Sequence, residues 1–194
     1  MKRVNLILMA AAILLFCGAQ QAKADAITYT ESGTATGSIG ATSFTDALVT
    51  ITFAGDTTNV TGVAGFFTNS VGTATVAIGG IGTFAFTDSL YVFDNQPFSV
   101  VGISDSTLND ILDTFGNSAF GTYDLTTALG PITGLSGFNP GSTYGTSGGG
   151  LTFGDMSTNS TFQATTAAVP EPSSLVLLGA AMAGLLILRR GRLA

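Results

Sequence analysis

Short runs of β-branched and aromatic residues, separated about every ten residues by Gly, Asn, Asp or Ser, fill the chain between residues 26 and 168. In the run over residues 47–53, Val49, Ile51 and Phe53 fall on one face of an extended backbone and threonines on the other. Further strands are predicted at residues 28–36, 71–78, 82–87, 90–94, 98–103, 151–153 and 161–166. The regular turn signals between these runs predict an all-β fold, an antiparallel β-sandwich.

A sequence repeat relates two of these strand pairs. Gly-Thr-Ala-Thr occurs at residues 33–36 and again at 72–75, and Ile-Gly follows in both copies. Each copy then reaches Phe-Thr-Asp, at residues 44–46 and 86–88. Two copies are too few for a solenoid, so we interpret them as two equivalent strand pairs within one sandwich.

Two segments depart from the strand pattern. In residues 107–115 the apolar residues recur at i, i+3, i+4 and i+7, and Gly116 follows them, which predicts one short surface helix. Asp110 and Asp113 are expected on the solvent face of that helix. Residues 130–150 contain two prolines and a run of three glycines, and they are predicted to be mostly loop.

Positive charge is confined to the two ends of the chain. No Lys, Arg or His occurs from Asp25 to Leu188, whereas eleven Asp and Glu residues lie between residues 25 and 166. Because binding to nucleic acid needs cations against phosphate, this composition excludes nucleic acid as a partner. High acidity also keeps an apolar-rich protein soluble.

The same composition excludes most catalytic chemistry. Residues 145–149 match the nucleophile motif Gly-x-Ser-x-Gly around Ser147, but the sequence has no His to act as the base. A Zn²⁺ site lacks ligands for the same reason, since Cys17 is the only cysteine. We therefore predict that the protein is not an enzyme and has no cofactor. A structural Ca²⁺ is left open, because carboxylates and backbone carbonyls suit that ion.

Two alternatives remain for the β-rich body. A carboxylate-based glycoside hydrolase would use acids such as Asp105, Asp110 and Asp113, and it requires two buried carboxylates that converge in a cleft. A carbohydrate-binding, lectin-like module requires an exposed row of tyrosines beside Asp or Asn on one face. The tyrosines of the sequence are Tyr29, Tyr91, Tyr123 and Tyr144.

The N-terminus has the pattern of a secretory signal peptide. Lys2 and Arg3 precede a nearly unbroken apolar stretch, and Ala22 and Ala24 form a cleavage site of the small-x-small type. We predict passage through the Sec translocon and cleavage by signal peptidase before Asp25. The single Cys lies in the apolar stretch, so the mature protein is expected to have no thiol and no disulfide.

The C-terminal region combines three elements in a fixed order. A proline-rich segment comes first, an apolar stretch over residues 175–188 follows, and a basic cluster comes last. Fourteen helical residues span about 21 Å, which predicts a short transmembrane helix. Arginines favour the cytoplasmic side, so the proline-rich segment is expected on the exported side. The proline-rich segment is Pro170-Glu171-Pro172, and the basic cluster is Arg189, Arg190 and Arg192.

This order of elements over residues 169–194 resembles the PEP-CTERM sorting signal. The resemblance implies that exosortase, an integral-membrane cysteine enzyme similar to transpeptidases, recognises the tripeptide, the membrane helix and the basic cluster. It also implies a Gram-negative-type host that makes exopolysaccharide. The implied route leads through an intermediate tethered to the inner membrane to the cell surface or extracellular matrix, in association with exopolysaccharide and biofilm.

The sequence therefore divides into three parts. Residues 1–24 are predicted to be a signal peptide, residues 25–168 an acidic, Gly- and Thr-rich β-sandwich, and residues 169–194 a sorting and anchor segment. The predicted function is that of a non-catalytic exported surface or matrix protein, which exosortase cleaves near the tripeptide.

Overall fold

The computed structural model describes residues 25–167, which form an all-β body. These residues contain thirteen strands in one continuous antiparallel sheet and three short 3₁₀ helices, at Thr57–Asn59, Gln96–Phe98 and Ser118–Thr122. No helix in this part of the chain is long and apolar enough to cross a membrane. The strands are β1 (Ala26–Ile39), β2 (Thr42–Asp56), β3 (Val60–Val63), β4 (Phe66–Asn69), β5 (Gly72–Ile78), β6 (Gly82–Ala85), β7 (Leu90–Asn95), β8 (Val100–Asp105), β9 (Asp110–Phe115), β10 (Leu129–Gly137), β11 (Thr143–Thr146), β12 (Gly149–Met156) and β13 (Asn159–Thr166).

The long strand β1 organises the sheet. One edge of β1 pairs with β2, while the other edge pairs first with β13 and then with β12. The partner changes between Ser32, the last residue paired with β13, and Ala35, the first residue paired with β12, and register shifts follow between Ala35 and Gly37. From β1 the strand order runs through β2 and β5 to β6 on one side. On the other side it runs through β13, β10, β9, β8, β7 and β4 to β3, and β11 pairs with β12.

The sheet curls around a single core. Asn69 on β4 and Tyr29 on β1 are far apart in the strand order, yet the Asn69 amide nitrogen donates to the Tyr29 hydroxyl at 3.2 Å. The same hydroxyl donates to the carbonyl oxygen of Leu125 at 2.6 Å. These contacts join opposite parts of one sheet through its inner face, the face that carries the core.

Aromatic rings fill much of this core. The ring of Phe162 lies 6.4 Å from Tyr29, 6.0 Å from Phe120 and 5.9 Å from Tyr123, measured between ring centroids. Burying one such side chain stabilises a fold by about 1.5–3 kcal/mol. Because residues 25–167 contain no cysteine, the body depends on this packing and on its strand pairing rather than on a disulfide.

The all-β prediction is confirmed, and each predicted strand segment overlaps an observed strand. The repeated sequences form two hairpins, β1–β2 and β5–β6, as predicted. Gly40 and Gly80 lie in their turns with positive φ angles of 53° and 76°. The sequence predicted a sandwich of sheets packed face to face, and the structure reaches a comparable core with one continuous sheet that curls.

The helix predicted over residues 107–115 is wrong. Residues 106–108 form a turn, and Asp110–Phe115 is the strand β9. In the β8–β9 ladder Ile103 lies opposite Leu112 and Ser104 opposite Asp110, so Ile111 is an extra residue, as in a β-bulge. The bulge buries Ile111 and Leu112 side by side, and this adjacency produced the helix-like spacing.

The loop predicted over residues 130–150 is also wrong. The segment contributes most of β10, all of β11 and the start of β12. The β10–β13 register shifts between Leu129 and Ile132, and this irregularity accommodates Pro131, whose nitrogen has no hydrogen to donate. Gly149, with a φ of 104°, begins β12 directly after the turn that follows β11. The glycines therefore serve a hairpin rather than a loop.

Candidate functional site

The first and last strands of the body are neighbours in the sheet. Ile27 of β1 lies opposite Thr166 of β13, and the amide of Ala167 donates to the carbonyl oxygen of Ala26 at 3.0 Å. Asp25, the first described residue, accepts a hydrogen bond from the Thr57 amide at 3.1 Å through its carbonyl oxygen. The first and last residues of the described body therefore lie side by side, at the same end of the β1–β13 pair.

Two carboxyl groups meet on the outer face of the sheet, which is the face turned away from the core. Asp113 lies between Gly102 of β8 and Gly137 of β10, and its side chain is only 8% exposed. A side chain at Gly102 would collide with the Asp113 carboxyl group. The Ser104 hydroxyl donates to Asp110. Burial, together with the adjacent Asp110 carboxyl group, raises the pKa of Asp113 to about 9, so Asp113 is protonated at neutral pH.

This arrangement corrects the prediction that Asp110 and Asp113 lie on the solvent face of a helix. Both belong to β9, where the Asp110 carboxyl group adds to the effect of burial in raising the pKa of Asp113. Glycosidases hold their two carboxyl groups about 5–9.5 Å apart to leave room for the sugar and water. Asp110 and Asp113 are neighbours on one strand and Asp113 is only 8% exposed, so the pair does not match that open arrangement.

Asp105 has a structural role in the turn that precedes β9. Its carboxylate accepts hydrogen bonds from the amides of Thr107 at 2.8 Å and Asn109 at 3.0 Å. Burial acts to raise the pKa of Asp105, but hydrogen bonds from Asn109 and Thr107 outweigh it and hold the pKa below its ordinary value. Asp105 therefore stabilises the β8–β9 turn, which explains why the sequence resembled the start of a helix.

A further carboxyl group, Glu31, lies in the core. It is fully buried on the inner face of β1, and neither oxygen has a hydrogen-bond partner in residues 25–167. Burial, and then the charges of Asp113 and Asp110, raise the pKa of Glu31 well above its ordinary value. Sequence reasoning missed this residue, although the alternation from Ile27 through Tyr29 places position 31 on the same buried face.

A second unpaired group lies on the inner faces of β4 and β7. Both Asp94 oxygens and the Asn69 amide oxygen lack a hydrogen-bond partner in the described chain. The Asn69 nitrogen is fully used, because it donates to the Tyr29 hydroxyl and to the Asp56 carbonyl oxygen. Burial, and then the charge of Asp124, raise the pKa of Asp94 to about 8. No sequence pattern singled out either residue.

The four tyrosines do not form an exposed row. Tyr29, Tyr123 and Tyr144 are buried, and each donates its hydroxyl hydrogen to a backbone carbonyl oxygen. Tyr91 is half-buried on the outer face, where its ring centroid lies 6.2 Å from that of Phe93. Three of the four side chains are therefore part of the core.

The remaining candidate chemistry has little support in residues 25–167. Ser147 is exposed after β11, and its hydroxyl accepts a hydrogen bond from the Ala85 amide at 3.1 Å. This contact fits a turn residue, because the sequence has no His to activate the serine. Among the described residues, no three His, Cys, Asp or Glu side chains are grouped closely enough to hold a metal ion.

Comparison with protein families identifies the segment that follows the body. The family model of the PEP-CTERM protein-sorting motif matches residues 168–192. This chain carries a PEP-CTERM sorting motif. No curated protein and no solved structure gives a significant match. The PEP-CTERM motif implies an exported protein that passes the membrane and is processed by an exosortase, so the resemblance seen in the sequence is confirmed.

The predicted sorting residues fall within the matched PEP-CTERM segment, and the structural description does not extend to them. The same holds for the predicted transmembrane helix and for the signal peptide with Ala22 and Ala24, so these stay predictions. Asp25, on the other side of the predicted cleavage site, is half-buried. The sorting residues are Pro170, Glu171, Pro172, Arg189, Arg190 and Arg192.

Proposed function

We propose that the protein is a non-catalytic surface or extracellular-matrix protein, which exosortase cleaves near Pro170-Glu171-Pro172. The PEP-CTERM match over residues 168–192 carries this proposal. Signal peptidase removes the leader before Asp25, the predicted C-terminal helix tethers the intermediate to the inner membrane, and the cut releases the body. The mature protein then lies at the cell surface or in the matrix, next to exopolysaccharide and biofilm.

The end of the body supports a cut at this position. Hydrogen bonding between β1 and β13 extends to Ala167, and only residues 168 and 169 separate it from Pro170. From the sequence we expect an extended tripeptide, because each proline fixes its own φ and biases the preceding residue away from helix. An enzyme that reads an extended strip can therefore act there without breaking a strand of the sheet.

The test compares full-length protein in a host that contains an exosortase with the same protein in that host lacking the enzyme. In the complete host, intact mass and cell fractionation should show protein that begins at Asp25, has lost the C-terminal helix and has left the inner membrane. Glu171→Ala should slow this conversion, while Asp155→Ala, an exposed acid on β12, should not. Protein that keeps its C-terminal segment in the inner membrane of the complete host would show a permanent anchor instead.

A carbohydrate-binding role is the second candidate, and one feature of the outer face favours it. Phe66 is 42% exposed, and its ring stacks on Phe93 with centroids 6.0 Å apart and planes 23° apart. Tyr91 packs against the same Phe93, and the Asp110–Asp113 pair lies on the same face. Aromatic faces pack against the C–H faces of sugar rings, and the oxygens of a carboxyl group, ionised or protonated, accept hydrogen bonds from sugar hydroxyls.

This candidate is tested by the binding of the full chain to exopolysaccharide from the host. Phe66→Ala should weaken the binding, because it removes the exposed ring of the stack. Phe98→Ala is the matched control, since Phe98 is 76% exposed but lies in a 3₁₀ helix outside the stack. Equal binding by the wild type and both variants would show that this surface does not bind the polysaccharide. The sorting proposal would be unaffected by that result.

A further inference from the structure

Three buried oxygen atoms on the inner faces of β4 and β7 need a partner that residues 25–167 do not supply. They are the two carboxyl oxygens of Asp94 and the amide oxygen of Asn69, and both side chains have 0% exposure. Native proteins pair almost all buried polar atoms, so unpaired acceptors indicate a water molecule or an ion. When Asp94 is protonated, its own hydrogen can pair with one acceptor, whereas ionised Asp94 leaves all three oxygens as acceptors that need a partner from solution.

The strand register places these acceptors beside one another. Asn69 lies opposite Val92 and Asp94 opposite Phe67, so Asn69 and Asp94 are diagonal neighbours on one face of the β4–β7 pair. The Cβ atoms of such neighbours are about 7 Å apart, a separation that two short side chains bridge by binding one ion. The Asn69 side-chain nitrogen donates to the Tyr29 hydroxyl and to the Asp56 carbonyl oxygen. These two hydrogen bonds fix the amide group, and its oxygen is the atom left to bind an ion.

The surroundings are negative. Burial is the largest cause that raises the pKa of Asp94, and the charge of Asp124 adds to it, so Asp124 makes the potential at Asp94 more negative. Residues 25–167 contain no Lys, Arg or His that could balance the charge. Neutralisation by anything other than a proton therefore requires a cation from solution.

We infer that Asn69 and Asp94 bind a calcium ion between β4 and β7, with Asp124 contributing a second negative charge. The donors are all oxygen atoms, the type that calcium prefers, and water and backbone carbonyls complete the about six to eight ligands that the ion takes. The absence of a group of three His, Cys, Asp or Glu side chains in residues 25–167 does not conflict with this site, because one of its two side-chain ligands is the Asn69 amide. Extracellular calcium modules bind in the range of about 0.1–1 mM, which suits an exported protein.

The experiment uses the full chain, purified in detergent and stripped with a chelator. Calcium at about 1 mM should raise the unfolding temperature. The Tyr29 hydroxyl accepts a hydrogen bond from the Asn69 amide, and the sequence has no Trp, so a bound terbium ion should luminesce under tyrosine excitation, and calcium should displace it. Asp94→Asn should abolish both responses, because it replaces the central carboxylate with a neutral amide.

Two further variants keep the test decisive. Asp124→Asn retains an oxygen for the hydrogen bonds from Thr126 and should fold, with calcium affinity reduced about tenfold. Asp113→Asn alters another buried carboxyl group, on the outer face, and should respond to calcium as the wild type does. The inference is overturned if the wild type shows neither response, if Asp124→Asn binds as tightly as the wild type, or if Asp113→Asn loses the response as well.

Discussion

The backbone amide of Ala167 donates a hydrogen bond to the carbonyl oxygen of Ala26 across 3.0 Å, at the end of the β1–β13 ladder. The strand β13 lies inside the sheet, because it pairs with β1 on one edge and with β10 on the other. A cut after Ala167 leaves both ladders complete, whereas a cut a few residues earlier removes part of β13. The position of the sorting motif is therefore compatible with release of an intact body.

The first prediction concerns the packing of β13. Phe162→Ala should lower the free energy of unfolding by about 3–5 kcal/mol, because it leaves a cavity among three aromatic rings. Gln163→Ala, the adjacent half-buried position on the opposite face, should cost much less. Urea denaturation of both variants measures the difference, and equal losses would show that Phe162 is not a centre of the core.

The second prediction is that stability falls as pH rises. Glu31, Asp94 and Asp113 have pKa values raised by burial, to about 8 for Asp94 and about 9 for Asp113. In the unfolded chain these groups ionise near pH 4. Between the two pKa values the folded state binds more protons than the unfolded state, so the free energy of unfolding decreases with pH. The contribution is complete below about pH 4 and is gone once the pH has risen through the folded-state values.

Urea denaturation from pH 4 to pH 9 in the presence of a chelator measures this slope. Asp113→Asn should flatten the curve, because the amide cannot ionise, and Glu31→Gln should flatten it further. Asp46→Asn, an exposed acid on β2, is the control and should follow the wild-type curve. A stability that increases from pH 5 to pH 8 would contradict the prediction.

The strand β9 shows where prediction of strands from sequence alternation fails. Alternation identified strands such as β2 and β13 because one face of each is buried and the period of two survives. In β9 the extra residue Ile111 breaks that period, and the Asp105 carboxylate binds the amides of the following turn much as a helix cap would. A local pattern cannot distinguish these cases, since the partner strand β8 determines the register.

The buried acceptors were missed for a related reason. Glu31 and Asn69 are polar residues at inward positions, and composition alone assigns polar residues to the surface. The position of Glu31 could have been read from the alternation of β1, but that of Asn69 could not, because no strand was predicted over β4. The sorting motif, in contrast, was recognisable because it is carried by local sequence order and needs no tertiary structure.

The third prediction tests the close approach of Asp113 to Gly102. Gly102→Ala would place a Cβ against the Asp113 carboxyl group and 2.8 Å from the Phe93 ring, so it should destabilise the body by about 1–3 kcal/mol. Gly154→Ala is a suitable control, because the nearest atom to its new Cβ lies 3.9 Å away. Combining Gly102→Ala with Asp113→Ala should recover part of the loss, as a thermodynamic cycle of unfolding energies would reveal. Purely additive losses would show that the collision with Asp113 is not the cause.

The final prediction concerns the basic cluster that follows the apolar stretch of the sorting segment. Replacing Arg189, Arg190 and Arg192 with Gln should weaken retention of the intermediate and reduce its processing together, since positive charge on the cytoplasmic side fixes the direction of a membrane helix. Replacement with Lys keeps the charge but removes the planar guanidinium group, so it separates a charge effect from specific recognition. If charge alone acts, the lysine protein should be retained and cleaved like the wild type, as measured by cell fractionation and intact mass. A glutamine protein that is retained and cleaved normally would show that the cluster has neither role.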